Sequence, residues 1–278
     1  MFDIEKELQR IHLTRPGMPL VMGILNVTPD SFSDGGLFVS KKVMQSRVVK
    51  MIEECADILD IGGESTRPGA DKVALEIELE RVIPVIEWIS ARFDIPISVD
   101  TYKTKVMSEA ISAGAVLVND VNALQETGAV ECVAKSNVSV CLMHKKGNPD
   151  TMQVEPHYED VVEEVKTFLL ERASLCEQAG IHKNRIILDP GFGFGKTLEH
   201  NKRLFANLSE FTDLGYPLLV GVSRKRMIGE LLNNAPVDNR LHGSVAAAVL
   251  AGMKGTKIIR VHDVAPTVDA LNIVSSLI

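Results

Sequence analysis

Two groups of polar residues in this chain have the chemistry of a small-molecule site. The first group combines carboxylate and amide acceptors with one cationic donor: Asp100, Asn119, Asp189 and Lys225. Such a set can pair with the edge of a planar heterocycle that carries N–H, amino and carbonyl groups. The first group therefore predicts a pocket for a flat, polar ring.

The second group has the chemistry of an anion pocket and consists of Asn26, Arg260 and His262. Arginine suits phosphate because its planar guanidinium donates hydrogen bonds in pairs. The alternative for Arg260 is a structural salt bridge to Asp263 or another nearby acid, since such pairs are common. The Asn26 oxygen could also be one ligand of a Mg²⁺ ion that a diphosphate carries, because such an ion needs few protein ligands.

The elements that must position these residues are short apolar runs rich in Val, Ile and Leu. Runs without strict alternation are typical of strands buried on both faces of a parallel sheet. We predict eight strands: Val21–Leu25, Ile58–Ile61, Ile97–Val99, Ala115–Val118, Val138–Met143, Arg185–Leu188, Pro217–Val222 and Lys257–Val261.

Segments with an apolar stripe at helical spacing alternate with these strands. We predict helices over Lys42–Ala56, Leu75–Ala91, Thr104–Ala113, Tyr158–Gly180, Glu199–Leu208, Gly243–Met253 and Thr267–Leu277. Ser40 before the first helix, and Gly114 and Gly180 at helix ends, are expected capping residues.

Eight strand–helix alternations favour a closed (β/α)8 TIM barrel in the α/β class over an open doubly wound sheet. Without a linker or a shift in composition, residues 1–278 are expected to form a single domain, with residues 1–20 as an N-terminal lead-in. Active sites of such barrels lie at the carboxyl ends of the strands, where both polar groups fall.

Two strand-to-helix connections are longer than the usual ~2–6 residues, and long connections of this kind are usually functional. They cover residues 26–40 and 62–70 and are rich in Gly, Pro and Ser. We expect both to be mobile active-site loops.

The segment Pro190–Thr197, PGFGFGKT, resembles a nucleotide P-loop but has Pro190 where the motif requires glycine. It also follows the sixth strand instead of opening a Walker-type sheet. A tight turn that lets a flat ligand approach the backbone is the favoured interpretation.

Composition excludes several classes of protein. The net charge of −7 argues against a surface for nucleic acid or anionic membrane. The four cysteines are widely spaced and suggest neither a zinc site nor a disulfide framework. No apolar run reaches the ~18 residues of a membrane span, and the charged N-terminus lacks the apolar region of a signal peptide. We therefore expect a cytoplasmic protein.

Seven segments of the chain, in order, resemble dihydropteroate synthases. They are Asn26–Gly36 (NVTPDSFSDGG), Asp60–Gly69 (DIGGESTRPG), Ser98–Thr101, Asn119–Asp120, Asp189–Gly193 (DPGFG), Gly221–Lys225 (GVSRK) and Arg260–Val264. This resemblance implies the condensation of (7,8-dihydropterin-6-yl)methyl diphosphate with p-aminobenzoate to 7,8-dihydropteroate and pyrophosphate, in folate biosynthesis. It also implies Mg²⁺, a homodimer and sulfonamide inhibitors.

The same resemblance implies roles for individual residues. The pterin pocket would contain Asp100, Asn119, Met143, Asp189, Phe194 and Lys225, and the diphosphate and Mg²⁺ site Asn26 with Arg260 and His262. Phe32, Ser33 and Asp34 fall in the first loop, whereas Thr66, Arg67 and Pro68 fall in the second, which covers p-aminobenzoate. Catalytic roles would belong to Asp34, Arg67, Asp100, Lys225 and Arg260.

One position departs from the family pattern, in which serine usually follows the Ser-Arg-Lys run beside p-aminobenzoate. This chain has Arg226 there. The arginine could bind the substrate carboxylate, crowd the pocket, or turn outward to solvent.

The expected mechanism is loss of diphosphate followed by attack of the arylamine. Arg260→Ala is expected to lower turnover sharply and to leave binding of the product pterin largely intact, if the two groups act separately. Two rival functions are a pterin-dependent methyltransferase and a non-catalytic pterin-binding protein. Neither needs the two long loops together with Arg260 and His262.

Overall fold

The structure is a computed structural model that describes residues 3–11, 15–27, 36–65, 72–147 and 156–278. For residues 36–40 it describes the backbone alone. Most of the two segments predicted as mobile loops, including Phe32, Ser33, Asp34, Thr66, Arg67 and Pro68, lies outside these ranges.

Eight parallel strands form one sheet in the order β6-β5-β4-β3-β2-β1-β8-β7. The strands are β1 Leu20–Asn26, β2 Ile58–Gly62, β3 Ile97–Asp100, β4 Leu117–Asp120, β5 Ser139–Met143, β6 Ile186–Asp189, β7 Leu219–Val220 and β8 Ile258–Val261. A bridge between Leu188 and Leu218 joins the two edges, where Leu188 N donates to Pro217 O over 2.9 Å. The predicted (β/α)8 barrel is confirmed, and the open sheet is excluded.

The helices lie between the strands, as βαβ connections require. They are α1 Ile4–Ile11, α2 Gly36–Glu53, α3 Leu75–Ser90, α4 Thr104–Ala113, α5 Ala129–Ala134, α6 Val161–Gln178, α7 Leu198–Ala206, α8 Leu208–Thr212, α9 Arg226–Leu231, α10 Leu241–Met253 and α11 Val264–Leu277. None of the helices in the described ranges is long and apolar enough to cross a membrane.

Helix α2, the first of the predicted helices, begins earlier than the sequence prediction. It begins at Gly36, so Ser40 lies inside α2 and does not precede it, and the first connection is shorter than residues 26–40. The reason is visible in the sequence, because Leu37, Phe38 and Val39 extend the apolar pattern by one turn. The predicted ends at Gly114 and Gly180 are confirmed by backbone φ angles of 116° and 93°.

Two apolar cores divide the molecule. The larger core lies between the sheet and the surrounding helices. The smaller core fills the barrel interior with apolar side chains from every strand except β3: Leu20, Met22, Ile58, Leu117, Cys141, Ile187, Leu219 and Ile258. Ile4, Leu8 and Ile11 of α1 pack against this inner core. The segment predicted only as a lead-in therefore covers the amino ends of the strands and leaves the carboxyl ends for chemistry.

Candidate active site

Strand register brings the predicted site residues of β1 to β4 into one row. Asn26 pairs with Gly62, Gly62 pairs with Asp100, and Asp100 pairs with Asn119. A Cβ atom added at Gly62 would lie 3.7 Å from Asn26 Oδ1 and 3.6 Å from Asp100 Cβ. Gly62 thus leaves open the space between two polar side chains on its neighbouring strands.

Arg260 joins the two predicted groups. Its Nε donates to Asp60 Oδ2 and its Nη2 donates to Asp100 Oδ2, each over 2.6 Å. Asp263, considered from the sequence as a partner for Arg260, instead pairs with Arg224 over 2.6 Å. The guanidinium therefore makes ion pairs with nearby acids, and one of them, Asp100, belongs to the predicted pterin group.

Asp60 is a site residue to which sequence reasoning gave no role. It is fully buried within β2, and its Oδ2 also accepts a hydrogen bond from Asn119 Nδ2 over 3.2 Å. Its signal in the sequence is a carboxylate inside the otherwise apolar run Ile58–Ile61. A buried carboxylate is stable only when paired, which is the role that Arg260 and Asn119 fill.

The carboxyl group of Asp100 has a strongly altered acidity. Burial raises its pKa to about 7, Arg260 opposes this rise, and the nearby Asp60 adds to it. For Arg260, burial disfavours the charge, but the two carboxylates more than offset burial and raise the pKa. Within the described ranges, Asp60 Oδ1 and Asp100 Oδ1 are buried and accept no hydrogen bond. The site therefore presents two unused acceptors.

Lys225 and Asp189 form the other side of the rim. Lys225 Nζ donates to Phe192 O over 2.6 Å and lies 4.6 Å from the centre of the Phe194 ring. Burial lowers the pKa of Lys225 to about 8, although Asp189 opposes that shift. Asp189 Oδ1 accepts from Gly191 N over 2.7 Å, and burial raises the pKa of Asp189. Met143 is buried beside Asp189 in the β5–β6 register.

His262 lies at the end of β8, where Ser223 contacts it. The His262 backbone N–H donates to Ser223 Oγ over 3.1 Å, and the same oxygen lies 3.1 Å from His262 Nδ1. Arg47 of α2 donates to the His262 carbonyl over 2.8 Å. Ser223 and Arg47 were not predicted as site residues, and only the position of Ser223 after β7 signals it in the sequence.

The Asn26 amide oxygen is the candidate protein ligand for a Mg²⁺ ion. Among the described residues, no group of three or more His, Cys, Asp or Glu side chains could hold a metal ion. Asn26 is half-buried at the end of β1, with its amide oxygen on the site side of Gly62. A single oxygen ligand fits an ion that takes its remaining ligands from diphosphate and water.

Arg226 adopts the third of its three predicted possibilities. Its side chain is 75% exposed, and its Nε lies 2.6 Å from Glu230 Oε1 one helical turn further along α9. The guanidinium therefore points outward to solvent and does not crowd the pocket.

The base of the second loop is fastened by an unpredicted ion-pair cluster. Lys103 Nζ donates to Glu64, to Glu78 and, over 2.8 Å, to the carbonyl of Val73. Arg81 donates to the Gly63 carbonyl over 2.8 Å. One ammonium group therefore connects Glu64, near the start of the second loop, to Val73 and Glu78, which follow the loop.

The comparisons with known proteins agree with this geometry. A family model described as pterin binding enzyme matches residues 22–262. Dihydropteroate synthase of Escherichia coli strain K12 is 55% identical over 258 residues, which cover 93% of this chain and 91% of that protein.

Solved structures extend the likeness to the fold. Xanthomonas albilineans dihydropteroate synthase with 4-aminobenzoic acid has a TM-score of 0.89 and 52% identity, covering 94% of this chain and 93% of that one. A second structure of that enzyme, in complex with 7,8-dihydropteroate, has a TM-score of 0.86 and 49% identity, with 94% of each chain covered. The Yersinia pestis enzyme, in a sulfonamide drug complex, has a TM-score of 0.88 and 52% identity, again with 94% of each covered. The chain therefore belongs to the dihydropteroate synthase family of pterin binding enzymes.

Proposed function

We propose that this chain makes 7,8-dihydropteroate from (7,8-dihydropterin-6-yl)methyl diphosphate and p-aminobenzoate, and that diphosphate leaves before the arylamine attacks. The observation that carries the proposal is the position of Arg260 between Asp60 and Asp100, on the same rim as Asn119, Asp189 and Lys225. Relatives that share half of the residues or more over most of the chain are dihydropteroate synthases.

The pterin ring would be recognised by complementary hydrogen bonds. The buried oxygens Asp60 Oδ1 and Asp100 Oδ1 can accept from ring N–H and amino groups. The Asn119 amide, the Lys225 ammonium and the Asp189 carboxylate at the end of β6 would complete the hydrogen bonds to the edge of the ring. Met143 and Phe194 would supply apolar contacts to the ring faces.

The leaving group would bind at the carboxyl ends of the neighbouring strands β1 and β8, which carry Asn26, Arg260 and His262. Arg260 has a delocalised charge and would stabilise the negative charge that develops on the departing diphosphate. A Mg²⁺ ion on the diphosphate, held in part by the Asn26 oxygen, would supply Lewis-acid stabilisation of the same charge. The ionised Asp100 carboxylate would stabilise positive charge that develops on the pterin.

The arylamine needs no strong general base, because it is a neutral nucleophile near neutral pH. We assign its binding to Lys225 and Arg226 together with Phe32, Thr66 and Pro68, and we assign catalytic roles to Asp34 and Arg67. An exposed i,i+4 pair such as that of Arg226 with Glu230 contributes only about 0.3–0.5 kcal/mol. Arg226 could therefore exchange its ion pair with Glu230 for one with the substrate carboxylate at little cost in free energy.

We also propose a cytoplasmic location, a homodimer and binding of sulfonamides. The four cysteines are free, which suits the reducing cytoplasm. Exposed Leu250 and Met253 of α10 and Ile273 of α11 suit a homodimer, which the family resemblance also implies. Binding of sulfonamides in place of p-aminobenzoate is proposed because the related Yersinia pestis enzyme was solved with such a drug.

Product analysis would test the proposal. The chain is incubated with both substrates and Mg²⁺, and 7,8-dihydropteroate is quantified by mass spectrometry, with a chelator in a parallel reaction. We expect product only in the reaction with free Mg²⁺, and Asp100→Asn should reduce its rate by at least about 100-fold. Tight pterin binding without product would point instead to a non-catalytic pterin-binding protein.

A further inference from the structure

The P-loop-like segment contains a buried lysine that the proposed reaction does not use. Lys196 is only 2% exposed. Its Nζ lies 2.9 Å from Gly191 O, 3.1 Å from Phe194 O and 2.9 Å from His144 Nδ1. The His144 carbonyl is a fourth acceptor at a longer 3.4 Å, so each of the three N–H donors of an ammonium group has a partner.

Asp189 is near enough to favour the positive charge of this buried amine but forms no ion pair with it. Among the residues that the structure describes, no acidic oxygen lies within the 4.0 Å of an ion pair with Lys196 Nζ. Burial lowers the pKa of Lys196 far below its ordinary value. A buried lysine without an acid partner is unfavourable by itself. Its hydrogen bonds come from the carbonyls of one turn and from His144, and the charge of Asp189 adds a longer-range attraction.

The same turn positions the proposed pterin-binding groups. Gly191 N donates to Asp189 Oδ1 over 2.7 Å at its start. The Phe192 carbonyl accepts from Lys225 Nζ over 2.6 Å, and the Phe194 ring lies beside that ammonium. Lys196 thus bonds to the carbonyls of Gly191 and Phe194, on either side of the carbonyl that Lys225 uses.

The turn is also pressed against the loop that follows β5. A Cβ atom added at Gly191 would lie 1.8 Å from His144 O, and one at Gly195 would lie 2.2 Å from Lys146 O. His144 is buried, and burial, together with Lys196, lowers its pKa to about 2. The imidazole is therefore neutral and presents Nδ1 to Lys196 as a partner on the other side of the contact.

We propose that Lys196 is a positioning residue for pterin binding, which fixes the Gly191–Phe194 turn against His144 so that Lys225 and Phe194 are held in place for the ring. The proposal rests on the proposed function for the identity of the ligand. The larger effect is expected on the pterin, because the contacts of Lys196 lead to several pterin groups and only Lys225 among them is also assigned to p-aminobenzoate.

Direct binding separates this role from a general loss of structure. We would measure the dissociation constant of 6-hydroxymethyl-7,8-dihydropterin by calorimetry, and both KM values, for the parent, Lys196→Met and Lys202→Met. Lys202 is the matched control, since it lies on α7 with its side chain 48% exposed and pairs with Glu199. Thermal unfolding of each variant verifies that it is folded.

Lys196→Met should weaken pterin binding by at least about tenfold, as expected for lost hydrogen bonds to a charged group. The KM for p-aminobenzoate at saturating pterin should rise by a clearly smaller factor than the pterin dissociation constant, and Lys202→Met should match the parent. An unchanged pterin dissociation constant, or an equal loss for both substrates, would overturn the proposal. A parent that binds pterin but makes no product would refute the proposed function and leave this inference standing.

A second pair of variants decides the matter if Lys196→Met does not fold. His144→Phe keeps a ring against Phe168 and Tyr158 but removes the acceptor, whereas the amide oxygen of His144→Asn can still accept from Lys196. We expect weaker pterin binding, by about threefold or more, in His144→Phe only. Unchanged binding in His144→Phe would overturn the proposal.

Discussion

The contact of Arg260 with Asp60 and Asp100 places three charges in a buried part of the barrel. Breaking such a group by removal of one member costs about 3–5 kcal/mol, because the remaining charges stay buried without a partner. The two carboxylates each keep one oxygen with no hydrogen bond among the described residues. The arrangement is therefore organised for a ligand with N–H donors on one side and an anion on the other.

Arg260→Ala should impair both halves of the site. Loss of the guanidinium leaves Asp60 and Asp100 as neighbouring carboxylates, which favours protonation of Asp100 and weakens its interaction with the pterin. We expect kcat/KM to fall by at least about 100-fold and product-pterin affinity by about tenfold. Steady-state kinetics and calorimetry measure the two losses.

The sequence alone predicts that Arg260→Ala leaves binding of the product pterin largely intact. The contact of Arg260 with Asp100 changes that prediction. Arg260→Lys is the matched comparison, since it retains the charge but loses the paired donors. If Arg260→Ala left pterin affinity at the parental value, the two groups of residues would act separately after all.

Pterin binding should be strongest between pH 7 and 8. The carboxylate of Asp100 forms only as the pH rises through its pKa of about 7, so binding should weaken below that value. The ammonium of Lys225 is lost as the pH rises through its pKa of about 8, so binding should weaken above it. A titration of the pterin dissociation constant against pH measures both the weakening at low pH, the acid limb, and the weakening at high pH, the basic limb.

Two substitutions identify the group that titrates in each limb. Asp100→Asn should remove the acid limb, and Lys225→Met should remove the basic one. Asp120, whose pKa burial raises to about 6, is the control, and Asp120→Asn should leave both limbs in place. An acid limb that survives in Asp100→Asn would show that another group titrates.

At the scale of elements, the connection from β6 to α7 tolerates little change at its glycines. Its glycines adopt positive φ angles of 68° at Gly191, 83° at Gly193 and 64° at Gly195. The backbone of the β5 connection occupies the space that a side chain at Gly191 or Gly195 would need. The glycines of the P-loop-like motif thus allow two site-forming loops to pack against each other.

Gly191→Ala should destabilise the protein more than a positive φ angle alone can explain. Gly180 is the control, since it has a φ of 93° and nothing within 4 Å of an added Cβ. Gly180→Ala should cost about 1–2 kcal/mol for the left-handed conformation, and Gly191→Ala at least about 2 kcal/mol more because it meets His144 O. Urea unfolding compares the free energies, and equal losses would refute the steric explanation.

At the scale of the whole molecule, the two barrel ends have separate tasks. Polar strand ends form the site at the carboxyl end, while α1 packs against the inner core at the other. Ile4, Leu8 and Ile11 are 2%, 5% and 4% exposed. A defect in α1 should therefore act on stability alone.

Leu8→Ala should lower the free energy of unfolding by about 2–5 kcal/mol, because it leaves a cavity against the inner core. Both KM values should stay at the parental level well below the melting temperature. Lys6→Ala, on the exposed face of the same helix, should change stability by no more than about 0.5 kcal/mol. A raised KM in Leu8→Ala would show that the two ends are coupled.

The sequence predicts the barrel because each buried strand has its own apolar run and ends in a polar residue. It does not predict α1 as the cover of the inner core, since the partners of that short helix come from strands far along the chain. Asp60 escapes assignment because a carboxylate within an apolar strand acquires its role only from distant partners, Asn119 and Arg260, the latter 200 residues later. The outward direction of Arg226 likewise depends on Glu230, and a motif comparison alone leaves it open.

Pyrophosphate release from the pterin diphosphate in the presence of Mg²⁺, measured with and without p-aminobenzoate, is the decisive test of synthase activity. We expect release that depends on p-aminobenzoate and matches the dihydropteroate formed, one for one. Tight pterin binding with no release under either condition would contradict it.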